Sequence, residues 1–245
     1  MVLFNGSRFG ALAAHLPSIV DLMMGSDFLQ SDSVEVLEGL LEFTGKLIRS
    51  AGPLCHAHRR DLFRILLQLG SVPGTAHLKG HVDQAIDVLA RNCSCEDASE
   101  LFSLELSHML HSLHESFEQW TAHTPQRFMF DLLCRRARDA VVDYWDLILE
   151  IIGVNCDNSK DVELRMDMLG LVEFFLESEH LYDTLVFYGD VFIKGILVPS
   201  AVWMVGRPNV KTRKASLICL MKLIERNLIE EDKLYEVLAC FLTLD

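Results

Sequence analysis

Apolar residues along this chain return at helical spacing. Leu37, Leu40, Leu41, Thr44, Leu47 and Ile48 keep to one face of a 3.6-residue period, and Leu78, Val82, Ala85, Ile86 and Leu89 do the same. Val141, Tyr144, Trp145, Ile148 and Ile152 repeat the pattern, as do Leu164, Met168, Leu171, Val172 and Phe175. Leu217, Leu220, Met221 and Ile224 close the series. No segment alternates apolar and polar residues between hairpin signals, so no sheet is expected. Short polar breaks separate the stripes: Gly25-Ser26-Asp27, Ser50 to Pro53, Gly70 to Gly74, Cys93 to Asp97, Thr121 to Pro125, Gly153 to Lys160 and Gly206 to Asn209. Each combines a stop signal with a candidate N-cap. The pattern predicts about ten helices of about 14 to 24 residues joined by short loops. No linker or composition shift marks a domain boundary.

Two of the predicted helices superpose without a gap. Asp161-Val162-Glu163-Leu164-Arg165 leads to the inward positions Met168, Val172 and Phe175; Asn209-Val210-Lys211-Thr212-Arg213 leads to the inward positions Ser216, Leu220 and Leu223. The two arginines are 48 residues apart, close to the period of about 40 to 47 seen in HEAT repeats. The pattern resembles the second helix of a HEAT repeat. A polar cap can accept from the free N–H groups at the helix start, and Asp161 also suits the positive end of the dipole. Arg165 and Arg213 fall one turn later, within reach of the cap or of a neighbouring repeat. Pro199, in mid-pattern after Ile196, Leu197 and Val198, predicts a kinked first helix. The expected fold is therefore all-α, a HEAT-type helical-repeat solenoid (an α-α superhelix). Residues 1–245 would form a single array, with the clearest repeats at 135–178 and 183–226.

Charge narrows the choice of partners. Lys plus Arg total 22 and Asp plus Glu 35, a formal charge of −13. Such a chain repels phosphate backbones, so neither nucleic acid nor an anionic membrane is an expected partner. No apolar run approaches the roughly 20 residues of a spanning helix; the greasiest, Ile193 to Val205, is interrupted by Lys194, Gly195, Pro199 and Ser200. The seven cysteines, Cys55, Cys93, Cys95, Cys134, Cys156, Cys219 and Cys240, are odd in number and irregularly spaced. They fit buried free thiols in a reducing compartment, and the cytoplasm is the expected location.

No cluster in the sequence has the spacing of a catalytic or metal site. His108, His111 and His114, with Glu105, Glu115 and Glu118, invite a metal-site reading. On a helical wheel all six fall outside the stripe of Phe102, Leu106, Met109, Leu110, Leu113, Phe117 and Trp120, on a face expected to be solvated. Cys93-Ser94-Cys95 and Cys55-His56-Ala57-His58 lack paired zinc-ligand spacing. Gly39 to Lys46 has one residue too many for a phosphate loop and Leu47 where a magnesium-binding hydroxyl is needed. Arg135, Arg136 and Arg138 form a local basic cluster, read as a solvated face or as a contact for an acidic segment. No catalytic, cofactor-binding or metal residue is expected, no cofactor, and no enzymatic activity.

The run Gly195 to Trp203, then Gly206-Arg207, then Arg213, Ala215, Ser216, Cys219 and Leu220, resembles the HEAT-repeat dynein axonemal assembly factors. The helix from Asp161 to Phe175 fits the same stretch, and Trp120 to Thr124 with Arg127 and Phe130 fits more loosely. The resemblance covers roughly residues 120–223; earlier residues agree only in being helical. It implies a non-catalytic scaffold for cytoplasmic preassembly of axonemal dynein arms in motile cilia, with axonemal dynein chains or chaperone-type assembly partners as ligands. The competing expectations are a general HEAT adaptor of transport or phosphatase-scaffold type and, last, a metal-dependent hydrolase built on the His108 helix. Because Met1 to Phe4 and Leu238 to Leu242 are apolar, unlike the polar caps of solenoids, the chain is expected to be part of a longer array and to self-associate alone.

Overall fold

The structure is a computed structural model that describes residues 6–25, 29, 31, 33–72, 76–202, 207–229 and 235. The apolar terminal runs Met1–Phe4 and Leu238–Leu242, Cys240, the Ser26-Asp27 and Pro73-Gly74 breaks and the segment from Trp203 to Gly206 lie outside them. Among the described residues there are eleven α-helices, short 3-10 and π turns, and no strand. The fold is all-α and of HEAT/armadillo-type helical-repeat construction. By contact it divides into two compact units, up to Glu105 and from Leu106.

In the first unit, α1 (Gly6–Met24) precedes α2 (Val34–Ala51), α3 (Arg59–Gly70), α4 (Lys79–Asn92) and the start of α5 (Ala98–His114). Ser33 caps α2 through Val36 N–H. Its far end is closed at Gly52, whose φ of 53° and ψ of −131° suit only a residue without a Cβ. The Gly52 N–H and the Asn92 side-chain amide (2.8 Å) both donate to the Ile48 carbonyl, tying α4 to the end of α2. The predicted stripes are the core: Leu37, Leu41, Leu47 and Ile48 of α2 and Val82, Ala85, Ile86 and Leu89 of α4 are buried. They pack with Phe63 of α3, which meets Phe102 edge-on at 4.9 Å.

In the second unit, α6 (Pro125–Arg136), α7 (Trp145–Asn155) and α8 (Val162–Glu177) follow one another through 3-10 and loop connections. Next come α9 (Tyr182–Asp190), a π-helical stretch (Val191–Leu197), α10 (Val198–Ala201) and α11 (Arg207–Glu225). The predicted kink takes the form of that π stretch. Pro199 is the second residue of α10; with no N–H and a ring that crowds the preceding turn, it cannot continue a regular ladder, and the wider turn absorbs the misfit. Trp145 is buried at the centre, edge-on to Phe175 of α8 at 4.8 Å and to Phe192 of the π stretch at 5.9 Å. The α8 and α11 helices lie side by side, so the two helices that match in sequence are packing neighbours. The Cys219 thiol donates to the Leu169 carbonyl at 3.7 Å, and Lys222 pairs with Glu173 at 2.7 Å and with Glu177. After α11 the chain folds back onto α9. A Cβ at Gly189 would stand 2.8 Å from the Leu228 carbonyl oxygen, so this approach requires glycine.

Two details differ from the sequence-based expectation. Asn209 lies inside α11 rather than capping it. On α11 the buried residues are Thr212, Ser216, Cys219, Leu220 and Leu223, whereas Leu217, Met221 and Ile224 are exposed. The period was legible, but α11 carries two apolar stripes and three of the four predicted positions belong to the outer one. The inner face is partly polar because the Ser216 hydroxyl reaches the Leu197 carbonyl at 2.5 Å and needs no water.

The six described cysteines are unpaired and buried. Burial pushes the Cys93 thiol up to about 11 and Cys156 and Cys219 up to about 12, and raises Cys134 well above its ordinary value. Thiolate, not thiol, is the nucleophile. At pH 8 an aromatic disulfide reagent is therefore expected to leave all six untouched in the native protein and to label them in denaturant. Labelling of any of the six without denaturant, mapped by mass spectrometry, would contradict this burial.

Candidate functional site

The polar side chains that the sequence singled out mostly hold helices together. Asp161 accepts from Leu164 N–H at 2.8 Å, as an N-cap should, and from Ala122 N–H at 3.1 Å. One carboxylate thus starts α8 and anchors the turn before α6. Arg165 is 2% exposed. It does not turn back to Asp161: its Nε donates to the Cys156 carbonyl at 3.2 Å and one terminal nitrogen to Asn158 Oδ1 at 2.6 Å. Cys156 follows the last turn of α7, where carbonyls are unpaired and the dipole favours a cation. Arg165 therefore clamps the end of α7 to the start of α8. Arg213, its sequence counterpart, is only half-buried.

The histidines of α5 lie as the wheel places them. His108 and His111 are exposed; His114 is half-buried, within 3.1 Å of Glu150 and stacked on Phe117 at 4.6 Å. Among the described residues no group of three or more His, Cys, Asp or Glu side chains is placed to hold a metal ion. Glu105 departs from the expected exposed face. It is 1% exposed and held by Arg59 at 2.5 Å and Arg60 at 3.5 Å. Its spacing held the signal, because Glu105 lies four residues from both Leu101 and Met109, each buried. A carboxylate at such a position needs cations, and Arg59-Arg60 at the start of α3 supply them.

Arg135, from the basic cluster, is bound to Asp131 through two contacts of 2.9 Å and lies over the Phe174 ring at 4.8 Å. Arg127 pairs with Asp167 at 2.6 Å. Both arginines link α6 to α8. Burial raises the Asp167 carboxyl above its ordinary range even with Arg127 beside it. Lys222, an apparent surface residue in the sequence, proves to be a bridge between α8 and α11.

A groove of about 350 Å³ runs between α2 and α4, lined by Leu41, Gly45, Glu38, Glu42, His77 and His81, among others. His77 is 2.9 Å from Glu38. Among the described residues its lining includes no serine, threonine or cysteine. The Gly39 to Lys46 segment is regular helix within α2. The run from Glu179 to Ala201 is long and apolar enough to cross a membrane by length and composition, although it is not an uninterrupted apolar run. It carries Glu179, Asp183, Asp190 and Lys194, and its Phe192, Ile193, Ile196 and Leu197 are core residues of the second unit.

These features define a class: a helical-repeat scaffold fold, without a metal cluster or a catalytic constellation among its described residues. The chain is 21% identical over 232 residues to Dynein axonemal assembly factor 5 of Homo sapiens, a match covering 93% of this chain and 27% of that protein. It is 22% identical over 237 residues to Dynein axonemal assembly factor 5 of Mus musculus, covering 95% and 28%. This is distant homology, and it extends well beyond residues 120–223. The chain spans little more than a quarter of the length of these relatives. No family model matches the chain, and no solved structure matches it.

Proposed function

We propose that this chain is part of a non-catalytic protein-binding scaffold that serves cytoplasmic preassembly of axonemal dynein arms. The observation that carries the reading is the likeness to Dynein axonemal assembly factor 5 along 93% and 95% of the chain. The helical-repeat construction supports it, because stacked helix pairs offer long surfaces for many modest contacts. In this reading residues 135–178 and 183–226 are successive repeats, with α8 and α11 as their second helices. The side-by-side packing of those helices supports that register. The ligands are axonemal dynein chains or chaperone-type assembly partners. The test is proximity labelling in ciliating cells with this chain as bait. Enrichment of axonemal dynein chains over an unrelated HEAT-repeat bait is the expected result. Enrichment of transport or phosphatase subunits without dynein chains would replace the reading with a general adaptor.

A further inference from the structure

The α11 helix presents a second apolar face. Val210, Leu217, Met221 and Ile224 are between 38% and 58% exposed. At about 100° per residue they fall within an arc of about 60°. The contacts with α8, made through Cys219, Lys222 and, just past the helix end, Arg226 on the Leu176 carbonyl, occupy roughly the opposite side. The outer stripe is therefore not an overflow of the core. It is a separate row with the spacing of a helix-binding seam. Monomers seldom leave such a row uncovered.

The charge beside the row is unusual for this protein. Arg207–Glu225 carries five basic residues against the single Glu225, in a chain of net charge −13. Lys211 and Lys214 are exposed, lie toward one edge of the row, and among the described residues form no ion pair. They fall in the first two turns of α11, where the helix dipole adds positive potential. Elsewhere in this unit the cations have partners: Arg127 with Asp167, Arg135 with Asp131, Lys222 with Glu173. An apolar row with a free basic edge matches an apolar row with an acidic edge.

We propose that the outer face of α11 is a docking site for an acidic amphipathic helix of a protein partner. The partner's apolar side chains lie along Val210, Leu217, Met221 and Ile224, and its carboxylates meet Lys211 and Lys214. This rests on the scaffold reading and names the chemistry of one ligand.

The test uses the full chain and a fluorescein-labelled synthetic helical peptide of about 18 residues, with leucines on one face and glutamates along its edge. A second peptide has lysine in place of every glutamate. By fluorescence anisotropy the glutamate peptide is expected to bind at least about tenfold more tightly than the lysine peptide, with the preference shrinking at high salt. Lys211→Glu with Lys214→Glu should reverse the order of the two peptides. Leu217→Ser with Met221→Ser should remove binding of both, and thermal melts would confirm that these surface variants fold. Equal binding of the two peptides, or glutamate-peptide binding unchanged in the lysine double variant, overturns the proposal. So does a concentration-dependent dimer that the Leu217→Ser, Met221→Ser variant abolishes while neither peptide binds, since the face would then belong to a second copy. Proximity labelling repeated with the variants separates the two readings: dynein enrichment that survives in every variant leaves the scaffold reading standing even where the docking site falls.

Discussion

Trp145→Ala is expected to lower the unfolding free energy by about 3–5 kcal/mol, the usual range for deleting a buried aromatic side chain. Trp145 opens α7 and is 1% exposed. Its ring meets Phe175 of α8 edge-on at 4.8 Å, Phe192 of the π stretch at 5.9 Å and Tyr188 of α9 at 6.0 Å. Three helical elements therefore lose their common contact at once. Phe175 and Phe192 are themselves fully buried, so the neighbours have little freedom to collapse into the space. For a protein of this size each kcal/mol corresponds to about 2–4 °C in Tm, so a fall of roughly 6–20 °C is expected in a thermal melt followed by circular dichroism. Phe187→Ala is the matched control. Its ring is 83% exposed on α9, and its removal should change stability by no more than about 0.5 kcal/mol. Similar melting temperatures for the two variants would mean that Trp145 does not organise this unit.

Arg165→Ala is the second large effect, about 2–4 kcal/mol, because two acceptors lose a charge-assisted partner and one of them, the Cys156 carbonyl, is buried. The Cys156 carbonyl would be left unpaired at the end of α7, and Asn158 would lose the contact that shapes the loop into α8. Arg165→Lys should recover only part of the loss, since a single ammonium cannot reproduce the planar fork that serves both oxygens. Lys214→Ala, an exposed change on α11, should melt like the wild type. Asn158→Ala should cost less than Arg165→Ala, because it removes one of the two bonds. A melt of Arg165→Ala that matches Lys214→Ala would show that the loop from α7 to α8 holds its shape without the clamp.

Much of this was legible in the chain itself. Helical periodicity located the stripes of α2, α4, α7 and α8, and their predicted positions are almost all buried, because a 3.6-residue apolar period can satisfy both backbone and core only as a helix against a partner. The cap at Asp161 was readable from its residue type and place. The exposure of His108 and His111 was readable from their angle to the apolar stripe. Pro199 announced a break in its helix, although its form, a π stretch, depends on how far the preceding turn can widen.

Other features were set by packing between elements distant in sequence. Glu105 is buried because Arg59 and Arg60 reach it from α3. Arg165 faced two possible acceptors, and it donates to the neighbouring end of α7 while Asp161 serves two backbone N–H groups. Lys222 became a bridge because α8 places Glu173 beside it. Most clearly, α11 has apolar residues on two sides, and periodicity ranks neither above the other. The sequence by itself determined that α11 is a helix and that both rows exist. The match to the Asp161 helix placed Ser216, Leu220 and Leu223 inward, and only the tertiary structure decided why that row wins: the side that fits against α8, with Cys219 on the Leu169 carbonyl and Ser216 on the Leu197 carbonyl, lets even a hydroxyl be buried with its hydrogen bond satisfied.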